Sequence, residues 1–332
     1  MSRQTISILV MAAAAVFLLV LAPEVFMILV AGILLAVFLS GGGHAIARRL
    51  HIADHWGIAI FILAVVVVLV AFAAILAPEV SNQIDELTRR IPEAFEDFRD
   101  RIEQYAWGDR LLRNLTPESL TSGDGPQAAM SALTGTFGVL GNFVIIFFIG
   151  LYGALDPRLY STGARLLLAP SIRGRGEVVL SAVGNTLKQW LAAQLIAMTV
   201  VGVLTSFGLW LAGVPLAFAL GFIAGVLAFV PNIGPVLAIA PALLLAIPEG
   251  QTTILVVLAV YLGVQALESY VITPLIQQER VSLPPALVIA VQLLFGVLFG
   301  LLGLALATPI AAAAMTLVRM VYIEDYLERE KA

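Results

Sequence analysis

Six windows of roughly 20 predominantly apolar residues, at about 5 to 22, 24 to 40, 57 to 78, 136 to 155, 191 to 212 and 251 to 274, recur along this chain. Each is long enough to carry an α-helix across a hydrocarbon layer roughly 30 Å thick. Two further apolar stretches, 214 to 248 and 285 to 318, are about 35 residues each, too long for one crossing and too short for two comfortable ones. With 61% hydrophobic and 12% charged residues in 332, the chain reads as a polytopic membrane protein and not as a pair of soluble domains. The net charge of -4, with no basic run, sets nucleic acid aside as a partner. There are no cysteines, so no disulfide or thiolate metal site can form. Arg3 and the apolar run from Ile6 to Leu21 resemble a signal peptide, but a second run, Val25 to Leu39, follows at once and the cleavage pattern is weak. An uncleaved anchor is expected.

Charges set the expected sides. Basic residues of short loops collect on the cytoplasmic face. Arg48 and Arg49 in loop 41 to 56, and Arg158, Arg165, Arg173, Arg175 and Lys188 in segment 156 to 190, share one parity if three helices precede the polar insert and one follows it. Both termini are then cytoplasmic, and Glu24, Glu249 and the insert 79 to 135 lie outside. The insert holds eleven acids and six arginines, and long segments cross largely regardless of charge. In it Ile84, Leu87, Ile91, Phe95, Phe98, Ile102 and Tyr105 form one helical seam, with a break expected near Pro92. That seam suits packing on its own protomer or contact between subunits.

The stretch Phe229 to Val236 (FVPNIGPV) interrupts the first long apolar run. Pro231 and Pro235 lack an N–H, Gly234 permits unusual dihedrals, and a residue before proline is pushed out of the helical region. One helix should stop here and another start near 235. Bare backbone at membrane depth is tolerated only against protein or a wet cavity. Two readings stand: a re-entrant tip facing a solute, or a tight turn between short spans at the surface. The stretch also has a counterpart. Trp190 to Gln194 matches Tyr261 to Gln265 at an offset of 71, as Gly225-Val226-Leu227 matches Gly296-Val297-Leu298, and Pro215 and Pro285 lie 70 apart. Two units emerge, about 188 to 248 and 258 to 318, each a helix followed by an interrupted apolar stretch, and one crossing per unit would invert them. Such inverted repeats point to a transporter site, although in so Gly-, Val- and Leu-rich a chain a match of this length also arises by composition.

Polar residues within the apolar segments are the candidate pathway. Glu268 is the one acid placed well inside, and Tyr261, Gln265, Glu268 and Ile272 share a helix face. Gln194, Asn185, Asn232, Gln292 and Thr308 are further groups expected to face inward, as solute contacts or as interhelical glue. Amides donate and accept without charge, which suits a neutral polyhydroxy or carbonyl solute. His51 and His55 have metal-pair spacing, but His44, His51 and His55 share one loop, HExxH is absent, and no metal is expected. Ser40 to Gly43 lacks the Lys-Ser/Thr of a phosphate loop and reads as glycines after a helix end. No nucleophile elbow is present, so neither catalytic residues nor a cofactor are expected, and the chain does not read as an enzyme.

Trp190 to Gln194, Gly213-Val214-Pro215, FVPNIGPV at 229 to 236, QALESYVITPLI at 265 to 276, VSLPP at 281 to 285 and GVLFGLLGLALATPI at 296 to 310 together resemble the autoinducer-2 exporter (AI-2E) family. The resemblance implies a bacterial inner-membrane protein, a homo-oligomer with a pentamer as the expected state, and export of a furanose-like quorum-sensing signal, with sodium or lithium for proton antiport in some members. Family-type positions fall on Gln194, Pro231, Gly234, Pro235, Gln265, Glu268, Pro274, Pro285, Gly296, Gly300, Gly303 and Pro309. Ala193 and Tyr270 depart from the residues common in the family.

The expected fold is all-α, with about six full transmembrane helices and two Gly/Pro-interrupted hairpins in an inverted repeat. Its expected parts are a three-helix region (1–78), the outer insert (79–135), a helix and cytoplasmic amphipathic segment (136–190), a transport core (191–318) and a cytoplasmic tail (319–332). The leading expectation is an alternating-access exporter of a small polar solute. Gln194, Asn232, Gln265, Glu268, Gln292 and Thr308 would line its path, and Pro231, Gly234, Pro235, Gly296, Gly300, Gly303 and Pro309 would form its gates, with tips at 231–235 and 303–309. A cation/proton antiporter centred on Glu268, and a membrane scaffold presenting the insert, are the alternatives.

Overall fold

The computed structural model describes residues 3–68, 70, 71, 74, 141–272 and 284–328. The insert 79–135, its seam from Ile84 to Tyr105 and the break near Pro92 lie outside them, as do Pro274 and 281–283. Every regular element among the described residues is helical. In chain order these are α1 (Arg3–Leu21), α2 (Pro23–Leu50), α3 (Asp54–Val68), α4 (Gly141–Leu155), α5 (Pro157–Leu166), α6 (Arg173–Leu211), α7 (Ala217–Leu227), α8 (Ile233–Glu249), α9 (Gln251–Leu267) and α10 (Pro285–Leu317). Four helical stretches are long and apolar enough to cross a membrane, or five if α4 and α5, bent by 90°, count as one. The chain is thus a multi-pass membrane protein.

The chain divides into two compact units: one of Met1–Val68, Gly141–Gln194 and Gln277–Ala332, the other of Leu69–Leu140 and Leu195–Ile276. In the first, α2 packs on both α3 and α4. Phe38 meets Phe61 with ring centroids 5.2 Å apart, and Gly43 lies against Ile58, so α3 runs antiparallel to α2. Gly32 lies against Ile149 and Ala36 against Gly153, so α4 runs parallel to α2. A Cβ on Gly43 would sit 2.6 Å from Ile58 Cα. Helices in lipid associate through close backbone approach of this kind, because lipid is as apolar as leucine.

This contact corrects the reading of Ser40 to Gly43 as glycines beyond a helix end. They lie inside α2, which continues to Leu50 because α3 packs on them. The polar loop therefore shortens from 41–56 to the few residues joining α2 and α3. The helix ends at His51, which takes the left-handed conformation (φ 55°), while the Ile52 N–H donates to Ala47 O at 3.1 Å. His51 thus serves as a helix C-cap.

Five hydrogen bonds, two at Ser7 and three at Arg175, gather the start of α1, the stretch 165 to 175 and the last helical turns at one end of this unit. Ser7 Oγ donates to Leu167 O at 2.8 Å and accepts from the Ala169 N–H at 3.1 Å. Arg175 donates to Asp325 Oδ2 at 2.9 Å, Glu324 Oε2 at 3.1 Å and Met320 O at 3.1 Å. Asp156 accepts from the Leu159 N–H at 3.0 Å and, with Pro157 next to it, starts α5 at the right-angled bend.

In the second unit α7, α8, α9 and the second half of α6 share one core, with Leu209, Leu220, Ala224, Ala238, Ala242, Leu245 and Val257 buried in it. Gly225 lies against Met198 and Gly202, and Gly221 against Ser206, so α7 runs antiparallel to α6. The turn between them is built on Gly213 (φ 72°), with the Val214 N–H donating to Leu209 O at 2.9 Å.

Candidate functional site

The expected break at 229–236 is present. α7 ends at Leu227 and α8 begins at Ile233. The reversal turns on Asn232, at φ 65° and ψ -49°, across which the Ile233 N–H donates to Pro231 O at 2.8 Å. This is a γ-turn of the rare, strained hand. Asparagine is among the few residues with a side chain that enter positive φ readily, and strain held in place by its surroundings marks functional segments. The Asn232 side chain makes no capping bond to α8 and is exposed. Gly234 is buried with its Cα against the Leu227 carbonyl, where a Cβ has no room. The arms are unequal: α7 has 11 residues, about 17 Å, and α8 has 17, about 26 Å, with Pro241 and Pro248 inside.

The second long apolar stretch also reverses. Gly300 has φ 61° and ψ -148°, outside the helical region and open in practice to glycine alone. Gln292 Nε2 donates to Thr308 Oγ1 at 3.3 Å. Sixteen residues apart in a straight helix these groups would be about 24 Å apart, so arms 285–299 and 301–317 lie side by side. Gly303 is pressed on Phe295 O and Phe299 Cβ, and Leu304 lies next to Gly296. The expected tip at 303–309 is therefore corrected to Gly300. Thr308 and Pro309 lie inside the returning arm, because only a residue without Cβ takes the dihedrals of the turn. The glycines serve the hairpin's own interior.

The candidate pathway residues divide between the units. In the first, Gln194 is buried, Gln292 is 0% exposed and Thr308 is 5% exposed. Gln292 and Thr308 meet each other across the hairpin. In the second, Gln265 Nε2 donates to Glu268 Oε2 at 3.0 Å and to Ser269 Oγ at 3.3 Å, and both Gln265 and Glu268 are half-buried. The helix loosens into a π-turn over Glu268–Ile272, a form frequent at functional positions. On the same face, one turn earlier, Tyr261 is buried, and no described residue accepts or donates a hydrogen bond at its hydroxyl.

Asn185, expected inward, is exposed, while Thr186 is buried and meets Thr316 at 3.1 Å. Thr205, 1% exposed, was also not singled out from the sequence. A threonine in an apolar helix carries little signal of its own, since its hydroxyl can bond back to its own helix, as Thr199 does to Leu195 O at 2.8 Å. The histidines form no metal site among the described residues. His44 Nε2 lies 3.5 Å from Asp54 Oδ2, and His51 is a cap.

Comparison with known proteins covers nearly the whole chain. The sequence model of the family described as AI-2E family transporter matches residues 6–323. The "Putative transport protein YueF" of Bacillus subtilis is 25% identical over 330 residues, 93% of this chain and 88% of that protein. The "Putative transport protein MT0215" of Mycobacterium tuberculosis is 30% identical over 304 residues, 86% of this chain and 81% of that one. The "Putative permease PerM" of Escherichia coli K12 is 23% identical over 237 residues, 70% of this chain and 66% of that one.

Proposed function

The chain belongs to the AI-2E transporter family, and from that premise we propose that it exports a small, uncharged polar solute of the autoinducer-2 kind by alternating access. The observation that carries this reading is the pair of matched hairpins. Each follows a helix bearing the aromatic-Leu-x-x-Gln pattern. Each turns on one residue at positive φ, Asn232 or Gly300, and each then seats a glycine, Gly234 or Gly303, against the incoming arm. Two such elements about 70 residues apart support the inverted repeat, with 191–318 as the transport core.

The 11-residue arm α7, at about 17 Å, is too short to span a hydrocarbon layer of roughly 30 Å, which favours a re-entrant first hairpin. Asn232 and Gln265 would hold the solute beside Glu268, the buried Tyr261 hydroxyl is a further donor that a polyol or carbonyl can engage, and Gln194 is a further candidate solute contact in its own unit. Gln292 and Thr308 would act by holding the second hairpin closed. The gathering of α1's start, the 165–175 stretch and the tail at one end supports six crossings with both termini in the cytoplasm of a bacterial inner membrane. Assembly as a pentamer belongs to the same reading, and native mass would test it.

The test is solute flux in proteoliposomes of purified protein. Gln265→Ala and Asn232→Ala are expected to abolish flux while leaving assembly intact. Wild-type flux in both would refute this path.

A second reading is favoured by the Gln265–Glu268–Ser269 cluster, which sets a carboxylate and a hydroxyl together as oxygen ligands. Cation and proton would compete for Glu268. Sodium-driven pH change in vesicles should vanish in Glu268→Gln, and its survival at the wild-type level would exclude the exchange. The scaffold alternative rests on residues 84–105, outside those described, and flux through reconstituted protein would exclude a purely structural role.

A further inference from the structure

An open cavity of about 820 Å³ lies between the end of α2 and α3, lined by Ala45, Ile46, Arg48, Arg49, Leu50 and Ile60. We infer that it seats one anionic phospholipid, with the phosphate on Arg48 and Arg49 and an acyl chain along the apolar wall. Among the described residues no acid lines the cavity, and Asp54, at the start of α3, is turned to His44. Arg48 Nε donates to His44 O at 3.4 Å; among the described residues neither arginine has a carboxylate partner. Two guanidinium groups on successive residues can divide the oxygens of one phosphate between them.

The wall decides which anion fits. Leu50 is 57% exposed and Ile60 38% exposed, and an acyl chain would cover both. A free phosphate ion would leave that surface bare. Trp56, two residues into α3 and 62% exposed, marks headgroup depth, where amphipathic aromatic rings collect. Basic pockets between membrane helices bind anionic headgroups in this way. The inference rests on the membrane reading of α2 and α3 and on neither transport mechanism.

The experiment is native mass spectrometry of the full chain in neutral detergent, titrated separately with phosphatidylglycerol and phosphatidylcholine. Wild-type protein should retain phosphatidylglycerol preferentially. Replacing both arginines (Arg48→Gln with Arg49→Gln) should weaken that retention roughly 30-fold, each cation near a membrane surface being worth about fivefold. Arg319→Gln, an exposed arginine elsewhere, should leave it unchanged. Ile60→Asn gives a second test without a charge change, and should weaken phosphatidylglycerol while the arginines remain. Equal retention of the two lipids by the wild type, an unaltered preference in the double variant, an equal loss in Arg319→Gln, or displacement of the lipid by equimolar inorganic phosphate would each overturn the proposal.

Discussion

Asn232 reverses the chain at φ 65° with a hydrogen bond closed over a single residue, so its backbone and its side chain can be tested apart. Asn232→Gly relieves the strain and removes the amide; it is expected to leave the melting temperature in detergent unchanged or raised while reducing flux. Asn232→Val meets the full steric cost of positive φ, about 1–3 kcal/mol, and should lower the melting temperature. Gly234 and Gly303 make the complementary case. A methyl group at either would press on main chain, on the Leu227 or the Phe295 carbonyl, which cannot rotate away as a side chain does. Gly234→Ala and Gly303→Ala should each destabilise by about 1–3 kcal/mol, read as earlier thermal unfolding, whereas Gly263→Ala, with open space beside it, should not.

At the level of the element, the second hairpin is closed by its own side chains. Thr308→Val strips Gln292 Nε2 of this acceptor in a buried place and should cost about 1–3 kcal/mol. Adding Gln292→Leu should recover part of that loss, and a double-mutant cycle measures the coupling. The two hairpins were unequally legible in the sequence. Pro231 and Pro235 lack the N–H that would carry α7 onward, although Pro235 is accepted in the first turn of α8, so the first break could be placed within a few residues. Gly296, Gly300 and Gly303 are all tolerated inside a helix, and nothing local distinguishes the one that turns from the two that pack. The proline at 309 drew the expected tip toward itself, although a proline only removes a donor and a neighbour can compensate for it. The same ambiguity misplaced the end of α2, whose glycines are covered by α3, a contact between residues 15 apart that periodicity does not report. On α6 the inward face was missed by one residue, about 100° of rotation, which exchanges exposed Asn185 for buried Thr186.

For the whole molecule, charge asymmetry and apolar windows set the membrane class and an order of crossings, and the helix directions agree with it. α3 opposes α2 and α4 follows it, as expected when three helices precede a translocated insert and one follows it. Sidedness supplies its own prediction. In right-side-out vesicles of this cysteine-free chain, Ser171→Cys should resist a membrane-impermeant maleimide until the vesicles are opened. Labelling before opening would reverse the assigned sides. The Arg175 cluster at the same end is partly exposed to solvent, so Arg175→Ala should free the tail to proteolysis while leaving the melting temperature nearly unchanged. Alternating access requires more than sidedness, because the tip of the first hairpin must be reached from each face in turn. The most direct measurement is impermeant-maleimide labelling of Asn232→Cys in oriented vesicles, from either side, with and without the transported solute. Reaction from both sides, slowed by solute, is the expected result; rapid reaction from one side alone, indifferent to solute, would make FVPNIGPV a plain surface turn and contradict the proposed mechanism.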